Sequence, residues 1–285
     1  MELPAQSGSN DQILTIYKTG GTTGVEADRN YTINYSNERY AALWTAYTLT
    51  EADVTTGATF ESKKWAYNGA LSNTYQVGVV GASNSYPSNY QNAENYSRGH
   101  QIPNADRTST SLANEQTYYV TNQTPQLANG FNGGIWGDLE KAVRGFVVTD
   151  SGNANYNASF TKTDVLYVIT GPCYGKAGTS ETPAYLTASN TSIKPSSVPV
   201  PKYYWKVLLK VKWKDSTSLK SACAIGFWME HKTYTNDSYT NYAVSVDQIE
   251  TWTGFDLFTN LPGDNNSGIE QTAEANTDWT TFQNF

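Results

Sequence analysis

Short apolar runs separated by polar segments dominate the chain and predict a protein built mainly of β-strands. Gly, Asn, Asp and Ser clusters bound most of these runs, as is usual for strands joined by turns. The continuous apolar run that stops before Gly171 and Pro172 is typical of a buried strand, and we expect it to end there. The predicted strands lie at residues 13–17, 31–35, 42–47, 164–170, 203–214 and 222–229.

Two segments have a helical pattern instead. Apolar residues recur every four positions in one of them and predict an amphipathic helix that begins near Asn132. A second, short helix is predicted over residues 247–258, stopped by Gly254. The chain shows no internal repeat, so we predict one α+β domain: a central antiparallel β-sheet flanked by helices and long loops. The recurring residues of the first helix are Ile135, Leu139 and Val143.

The ends of the chain differ from its middle. Their polar composition predicts a disordered leader before the domain and a polar tail after it. The tail contains aromatic residues, which predict that it docks on the domain: Trp279, Phe282 and Phe285. The expected division is 1–12 for the leader, 13–262 for the domain and 263–285 for the tail.

Composition narrows the class of protein. The 285 residues include 13% aromatic but only 16% charged residues, so polarity comes mostly from Asn, Thr, Ser and Gly. That many aromatic rings argue against disorder, and the composition suits strands and loops better than long helices. No apolar run approaches the roughly 20 residues that a membrane span requires. The net charge of −7 gives no overall attraction for nucleic acid, so binding a polyanion would need a local site and a cation.

The expected compartment and the state of the two cysteines rest on composition and on spacing. The N-terminus has no basic start and no apolar core of a signal peptide, so the chain is either cytosolic or a mature, trimmed form. Its charge-poor surface favours the second, a secreted or periplasmic protein. Cys173 and Cys223 form no metal-binding pattern, and either a disulfide or simple packing of two small apolar groups is open.

His100 is the first candidate for chemistry. It lies in the segment Tyr-Ser-Arg-Gly-His-Gln-Ile-Pro-Asn-Ala-Asp, residues 96–106. In an extended strand Arg98 and His100 share a face, and a nearby cation keeps the imidazole neutral near pH 7. A neutral imidazole directed at water is what a hydrolytic general base requires.

The predicted helix after Asn132 has a mixed polar stripe. At 100° per residue Asn132, Trp136, Glu140 and Arg144 lie on one side, so an amide, a carboxylate and a guanidinium face the same way. Such a stripe is also typical of a solvated helix face with an i,i+4 ion pair. The stripe alone leaves both interpretations open.

The ordered set of motifs resembles the DNA/RNA non-specific endonuclease family, whose active site is a ββα-metal motif. The two segments above carry the resemblance together with Thr-Asn-Gln-Thr-Pro-Gln at 121–126 and the block from Asn132 to Arg144. Later matches follow in order, and the resemblance covers roughly residues 12–262. These later matches are Tyr167–Pro172, Val200–Lys206 and Asp247–Phe258.

The resemblance implies a role for each matched residue. His100 corresponds to the general base that activates water. Asn132 corresponds to the single direct protein ligand of Mg²⁺, and Glu140 to a carboxylate that orients water around the metal. Mn²⁺ or Ca²⁺ could replace Mg²⁺. The other matched residues are Arg98 and Arg144, which hold phosphates, and Asn122, which helps place the base and the helix.

One position departs from the family pattern. The family motif usually opens with Asp, and this chain has Ser97, which keeps only a hydroxyl for the outer shell of the metal. The resemblance implies a metal-dependent nuclease that cuts DNA and RNA to 5′-phosphorylated products. The alternative is a catalytically impaired nucleic-acid-binding protein on the same fold. A carbohydrate-binding β-protein would explain the aromatic residues but not the ordered motifs, and the oligomeric state is not indicated.

Other candidates have simpler interpretations. The alternating lysines of 206–214 form either a surface that tracks a nucleic-acid backbone or, more commonly, a solvated face. We expect His231 to be structural. Asp106 and Arg107 match family positions, and we expect them to brace the loop after His100. The lysines in question are Lys206, Lys210, Lys212 and Lys214.

Overall fold

Seven antiparallel strands form the central sheet in the computed structural model, which describes residues 2–5, 11–19, 28–54, 64–261 and 268–285. The strands are β1 Gln12–Tyr17, β2 Arg29–Ser36, β3 Ala41–Leu49, β4 Tyr90–Gln91, β5 Tyr96–His100, β6 Gln123–Leu127, β7 Leu166–Cys173, β8 Ala184–Ala188, β9 Ser197–Val200, β10 Tyr203–Trp213, β11 Leu219–Glu230 and β12 Ala243–Val244. The α-helices are α1 Ser111–Gln116, α2 Trp136–Gly145, α3 Val246–Thr253, α4 Ile269–Glu274 and α5 Trp279–Asn284.

The order of strands in the central sheet is β1-β2-β3-β7-β10-β11-β12. The strands β4, β8 and β9 form a small second sheet, and β5 pairs with β6 in a separate two-stranded unit. The predicted α+β fold with a central antiparallel sheet is therefore confirmed. Every strand predicted from the apolar runs is present, with ends that differ by a few residues.

The central sheet is covered on both faces. Alternating residues of β10 point to opposite sides, so Tyr204 and Leu208 join the core under α2 and α5, while Val207 and Leu209 join the core under α3 and α4. Two helical layers therefore sandwich the sheet. A third apolar cluster lies around the small sheet of β4, β8 and β9.

The expected end of the strand before Gly171 is wrong. β7 continues through Gly171 and Pro172 to Cys173, and these residues pair with the start of β10. A Cβ at Gly171 would lie 2.2 Å from the Leu43 carbonyl oxygen, so glycine is needed there for close packing of β3 against β7. Gly-Pro here marks a tight contact inside the sheet and not a turn.

The helix α3 ends where the sequence predicts. Gly254 adopts a left-handed conformation with φ +76°, which suits glycine at a helix C-terminus. Ser245 caps the other end, since its hydroxyl accepts a hydrogen bond from the Gln248 amide at 3.1 Å. The helix ends at Thr253, so the predicted range of 247–258 extends five residues beyond it, although the stop predicted at Gly254 is confirmed.

The lysine face of β10 is not a single surface. Lys206 and Lys210 are fully buried under α2 and α5, whereas Lys212 and Lys214 are exposed. For Lys206 and Lys210 both predictions, a surface that tracks nucleic acid and a solvated face, are therefore wrong. The pattern of β10 specifies which side chains share a face, but packing of the helices decides what covers them.

The cysteines lie too far apart for a disulfide. Cys173 is opposite Tyr203 on β10, and Cys223 is opposite Lys210, seven positions further along the same strand. That offset corresponds to roughly 23 Å, against about 7 Å at most for bridged Cα atoms. The two thiols also belong to the cores on opposite faces of the sheet, and burial raises the pKa of each to about 11.

Both ends of the chain contact the domain where they are described. Within the expected leader, Glu2 is buried in an ion pair with Arg29, and the Ala5 amide donates to the Asp256 carbonyl at 2.8 Å. Phe282 of the tail is fully buried in the core beside α2. No helix among the described segments is long and apolar enough to cross a membrane.

Candidate active site

His100 ends the strand β5 of a hairpin that leads into α2. In the hairpin His100 is opposite Gln123, and β6 continues through residues 128–135 to the helix. The half-buried imidazole packs against two aromatic rings: its centroid lies 4.5 Å from that of Trp65 and 4.8 Å from that of Tyr118, the latter edge-on. These contacts hold the ring in one orientation at the edge of the domain.

Asn122 fixes the loop that follows His100. Its side-chain oxygen accepts from the Ile102 amide at 3.0 Å, and its side-chain nitrogen donates to the carbonyls of Ile102 and Thr117 at 3.0 and 2.8 Å. Its own carbonyl accepts from the Gln101 amide at 2.9 Å. Asn122 is fully buried, and three of these four hydrogen bonds anchor the exit from β5 to the start of β6, while the bond to Thr117 ties both to the end of α1.

Arg98 shares the face of β5 with His100, but its guanidinium is bound to the loop at residues 80–83. It donates to the carbonyls of Gly81 and Ser83, and burial lowers its pKa. The guanidinium also lines a cavity of about 410 Å³ together with Tyr86. An arginine held in this way presents a fixed positive charge at the cavity wall.

Ser97 lies on the other face of β5 by strand alternation. It pairs with Gln126, and a bridge also joins it to Ser85. Its neighbour Gly99 faces the same way, and a Cβ there would lie 2.2 Å from the Gln126 side chain. The hairpin is therefore packed closely on the side of Ser97.

Asn132 is placed just before α2 and not on it. The helix begins at Trp136 because Gly133 and Gly134 have non-helical backbone angles, so the predicted start near Asn132 was four residues early. The Asn132 carbonyl oxygen lies 3.0 Å from where a Cβ would stand on Gly137, so the segment folds back on the first turn. The half-buried Asn132 is thus held at the N-terminal end of α2.

Glu140 and Arg144 belong to a buried group of charges between α2 and the sheet. Arg144 donates from Nη1 to Asp106 Oδ1 at 3.0 Å and from Nε to Asn155 Oδ1 at 3.0 Å. The other Asp106 oxygen accepts from the Tyr47 hydroxyl at 2.8 Å. Asp106 therefore links the loop after His100 to α2 and to strand β3.

Lys206 brings a second cation to this group from β10. Its Nζ lies 5.1 Å from the Trp136 ring centroid and makes no hydrogen bond with any described residue. Burial lowers the pKa of Lys206, while Glu140 and Asp106 act in the opposite direction. Burial raises the pKa of Glu140 to about 7, although Lys206 favours its ionised form. The negative charges of Asp106 and Glu140 are therefore balanced by the positive charges of Arg144 and Lys206 between α2 and the sheet.

The side chains near the start of α2 fit a hard divalent cation. Asn132 offers an amide oxygen and Glu140 a carboxylate, and both are the oxygen ligands that Mg²⁺ accepts while keeping most of its waters. Asn132 is half-buried, and the Glu140 carboxylate lies in the group of charges between α2 and the sheet. A site with few protein ligands matches this donor set.

The sequence did not predict the contacts that two residues, Asp106 and Lys206, make in the site. Asp106 was expected only to brace a loop, yet it bonds to Arg144 directly. Lys206 was placed on a strand surface, yet it faces Glu140. Arg107 does brace the loop, as expected: it donates to both the side chain and the carbonyl of Asn30 and to the Thr48 carbonyl. No sequence pattern marks contacts between elements this far apart.

His231 is structural, as predicted. Its Nδ1 lies 2.9 Å from the Pro201 carbonyl oxygen, and its Nε2 accepts from the Leu127 amide at 2.8 Å. These two bonds assign the proton to Nδ1 of a neutral ring, and burial lowers the pKa of His231 to about 4. The ring thereby holds the end of β6 in place, next to the segment that carries Asn132.

Comparison with known proteins identifies relatives over most of the chain. Residues 9–264 match the family of DNA/RNA non-specific endonucleases. The chain is 26% identical over 253 residues to a nuclease of Nostoc sp., covering 86% of this chain and 76% of the relative. It is 27% identical over 252 residues to a nuclease of Serratia marcescens, covering 86% and 79%.

A third relative matches a shorter region. Nuclease 1, mitochondrial, of Schizosaccharomyces pombe is 30% identical over 175 residues, which cover 60% of this chain. The matched region spans about half the length of that relative, 48%. Among solved structures, a chain of the EndoG/EndoGI complex superposes with a TM-score of 0.59 over 81% of this chain and 84% of its own length. At 19% identity that likeness shows the shared fold alone.

Proposed function

The chain belongs to the DNA/RNA non-specific endonuclease family, and from this premise we propose that it hydrolyses phosphodiester bonds of DNA and RNA without sequence preference. The observation that supports this most directly is the position of His100. It ends a hairpin strand, is clamped by the rings of Trp65 and Tyr118, and precedes a loop anchored by Asn122. Those contacts fix the orientation of the imidazole that we propose as the general base.

His100 is proposed to take the proton from the attacking water. A general base needs an imidazole that is neutral near the working pH and partly open to solvent. The half-buried ring at the end of β5 meets the second requirement. Asn122 acts through the loop it anchors and serves as a positioning residue, because it is fully buried.

A divalent cation, Mg²⁺ with Mn²⁺ or Ca²⁺ as possible substitutes, is proposed to bind beside Asn132. When bound, it supplies electrostatic stabilisation of the charge that develops on the phosphate. Asn132 would be its direct ligand, while Glu140 and the Ser97 hydroxyl would hold water around it. The charges of Lys206 and Arg144 favour the ionised form of Glu140, as this task requires.

The two arginines are proposed to hold the phosphates of the substrate. Arg98 presents a guanidinium fixed by the carbonyls of Gly81 and Ser83 at the wall of a cavity. Arg144 uses Nη1 and Nε for Asp106 and Asn155, and its Nη2 makes no hydrogen bond to a described residue. That nitrogen is therefore the part of Arg144 suited to a phosphate oxygen. Because such contacts position the backbone without recognising bases, sequence preference should be slight.

Degradation of supercoiled plasmid and of total RNA tests the function. With Mg²⁺ we expect both to be cut, and with EDTA or in His100→Ala we expect the rate to fall at least a thousandfold. Glu115→Gln, an exposed change on α1, serves as the control for handling and folding. The products should carry 5′-phosphates, so that kinase labelling succeeds only after phosphatase treatment.

A second candidate function rests on Ser97, which replaces the usual acid of the motif. In that case the protein would bind nucleic acid without cutting it. Folded protein that retards DNA in a gel yet shows no cleavage across Mg²⁺ and Mn²⁺ titrations would establish this function and exclude the enzyme.

We also propose that the protein acts outside the cytosol, in a secreted or periplasmic location. Its charge-poor, Thr- and Asn-rich composition supports this. Fractionation of the native host with an antibody against the protein tests it, and recovery only with cytosolic markers would overturn it.

A further inference from the structure

Three carboxylates converge on the side of the central sheet opposite α2. Asp247 and Glu250 lie three residues apart on α3, and Glu274 is the last residue of α4. One oxygen from each lies within 4.8 Å of the other two. The apolar residues beside them, Ile249 and Ala273, belong to the core under α3 and α4, whereas the candidate active site packs on the other core.

Glu274 is the unusual member of this group. The residue is only 6% exposed, and its Oε1 is buried without a hydrogen-bond partner among the described residues. A buried carboxylate oxygen in this state destabilises the fold unless a cation or a proton compensates it. A carboxylate oxygen of Glu274 lies within 4.8 Å of an oxygen of each of the other two carboxylates, which have the same charge and cannot supply that partner when ionised.

The surrounding charges disfavour the ionised form of Glu274 further when no cation is bound. The charged groups that act most strongly on Glu274 are four carboxylates, those of Glu250, Glu270, Asp247 and Asp256. Burial and these neighbours raise the pKa of Glu274 to about 9, and burial raises that of Glu250 to about 7. Of the two Glu250 oxygens, Oε1 accepts from the Leu257 amide at 2.6 Å, which fixes the side chain in place.

We propose that Asp247, Glu250 and Glu274 bind a divalent cation, Ca²⁺, that fastens α4 to α3. Ca²⁺ takes only oxygen ligands at about 2.4 Å, so two ligands on opposite sides of it are about 4.8 Å apart. The separations of the three oxygens do not exceed that span, so one Ca²⁺ can contact all three after small side-chain adjustments, and the absence of nitrogen or sulfur donors in this group disfavours Zn²⁺. Exposed Asp247 leaves one side open for water ligands.

The site is structural and independent of the proposed nuclease reaction. It joins a helix in the last part of the chain to one that precedes it by some twenty residues, and both pack on β11. Loss of the cation is therefore expected to loosen α4 and to leave the residues around His100 in place.

Calcium binding and thermal stability of the full chain test the proposal. After removal of metals with EDTA, added Ca²⁺ should raise the melting temperature by about 5 °C at a hundredfold excess over Kd. Titration calorimetry on Asn132→Ala, which removes the proposed catalytic ligand, should still show one Ca²⁺ site. In Asn132→Ala/Glu274→Gln that site should weaken at least tenfold.

Two further variants separate binding from folding. Asp247→Asn changes an exposed ligand and should also weaken Ca²⁺ binding, while Glu115→Gln should leave it unchanged. In EDTA, Glu274→Gln should melt at or above the temperature of the parent, because the neutral amide is not repelled by the neighbouring carboxylates and needs no bound proton to be neutral. Absence of Ca²⁺ binding to Asn132→Ala would show a cluster neutralised by protons, and unchanged binding in Asn132→Ala/Glu274→Gln would place the cation elsewhere. Either result would overturn the proposal.

Discussion

Arg144 donates a hydrogen bond from Nη1 to Asp106 Oδ1 over 3.0 Å, and this buried ion pair joins α2 to the loop that follows His100. Asp106 is completely inaccessible, and its second oxygen is held by Tyr47. The pair therefore couples the helix that carries Glu140 to the strand that carries the candidate base. Its strength determines how firmly the two halves of the site are held together.

We expect Asp106→Asn and Arg144→Met each to lower the free energy of unfolding by ~3 kcal/mol, because each leaves an uncompensated buried partner. In the double variant the losses should not add, and the coupling energy should exceed ~1.5 kcal/mol. Urea denaturation of the four proteins measures this. Losses that add to within the experimental error would mean that the ion pair does not hold the site together.

The close contact of Gly99 with Gln126 predicts that the hairpin tolerates no side chain at position 99. Gly99→Ala should lower the free energy of unfolding by about 1–3 kcal/mol through overpacking. Gln126→Ala in the same chain should restore part of that loss by removing the clashing atoms. Gly69→Ala, where a Cβ meets nothing within 4 Å, is the control and should change stability by less than ~0.5 kcal/mol. Equal effects at both glycines would contradict this packing.

His231 should stay neutral until the pH falls to about 4, because burial lowers its pKa. A group with a folded pKa below its unfolded value stabilises the fold above the unfolded pKa, near 6.5. That contribution, ~3 kcal/mol, is lost as the pH falls from 6.5 to about 4. The chain has only two histidines, so NMR titration with His100→Ala assigns both rings directly. Titration of the His231 ring above pH 6 would show that the ring is not buried in its neutral form.

Lys210 is buried between Phe146 and Phe282, with its Nζ 4.8 and 4.9 Å from their ring centroids. Burial lowers its pKa to about 8, so at pH 7 Lys210 is still mostly protonated and its buried charge destabilises the fold. We expect Lys210→Met to raise the free energy of unfolding by ~1–2 kcal/mol at pH 7. Exposed Lys212, changed to Met, should have little effect.

The gain at Lys210 should depend on pH in a defined direction. As the pH rises from 8 towards 10.5, the native lysine loses its proton before the unfolded one does, and wild type recovers stability. The advantage of Lys210→Met should therefore shrink over that range in urea titrations. A pH-independent difference would indicate that packing, and not charge burial, separates the two side chains.

Ser97→Asp restores the acid with which the family motif usually opens. If the Ser97 side of β5 contributes to the outer shell of the metal, the Mg²⁺ concentration for half-maximal cleavage should fall severalfold. Ser192→Asp, an exposed change between β8 and β9, controls for net charge. The same Mg²⁺ dependence in both variants and wild type would exclude position 97 from the metal site.

The sequence by itself determined the parts of this protein that depend on neighbouring residues. The period of two in β10 and the glycine after α3 follow from backbone geometry within a few residues, so strands and the end of α3 were predictable. The ordered motifs around His100 and Asn132 likewise indicated the family, because a motif keeps its order along the chain. The predicted start of α2 near Asn132 is wrong by four residues, because Gly133 and Gly134 adopt non-helical backbone angles that the apolar period does not show.

Only the tertiary structure decided what those elements meet. Lys206 and Lys210 alternate like surface residues, yet α2 and α5 cover them, and Cys173 and Cys223 are separated by the register of β10. The contact of Asp106 with Arg144 joins residues 38 positions apart. Periodicity specifies which side chains share a face, but burial and charge pairing depend on which distant element packs there, and no local pattern encodes that choice.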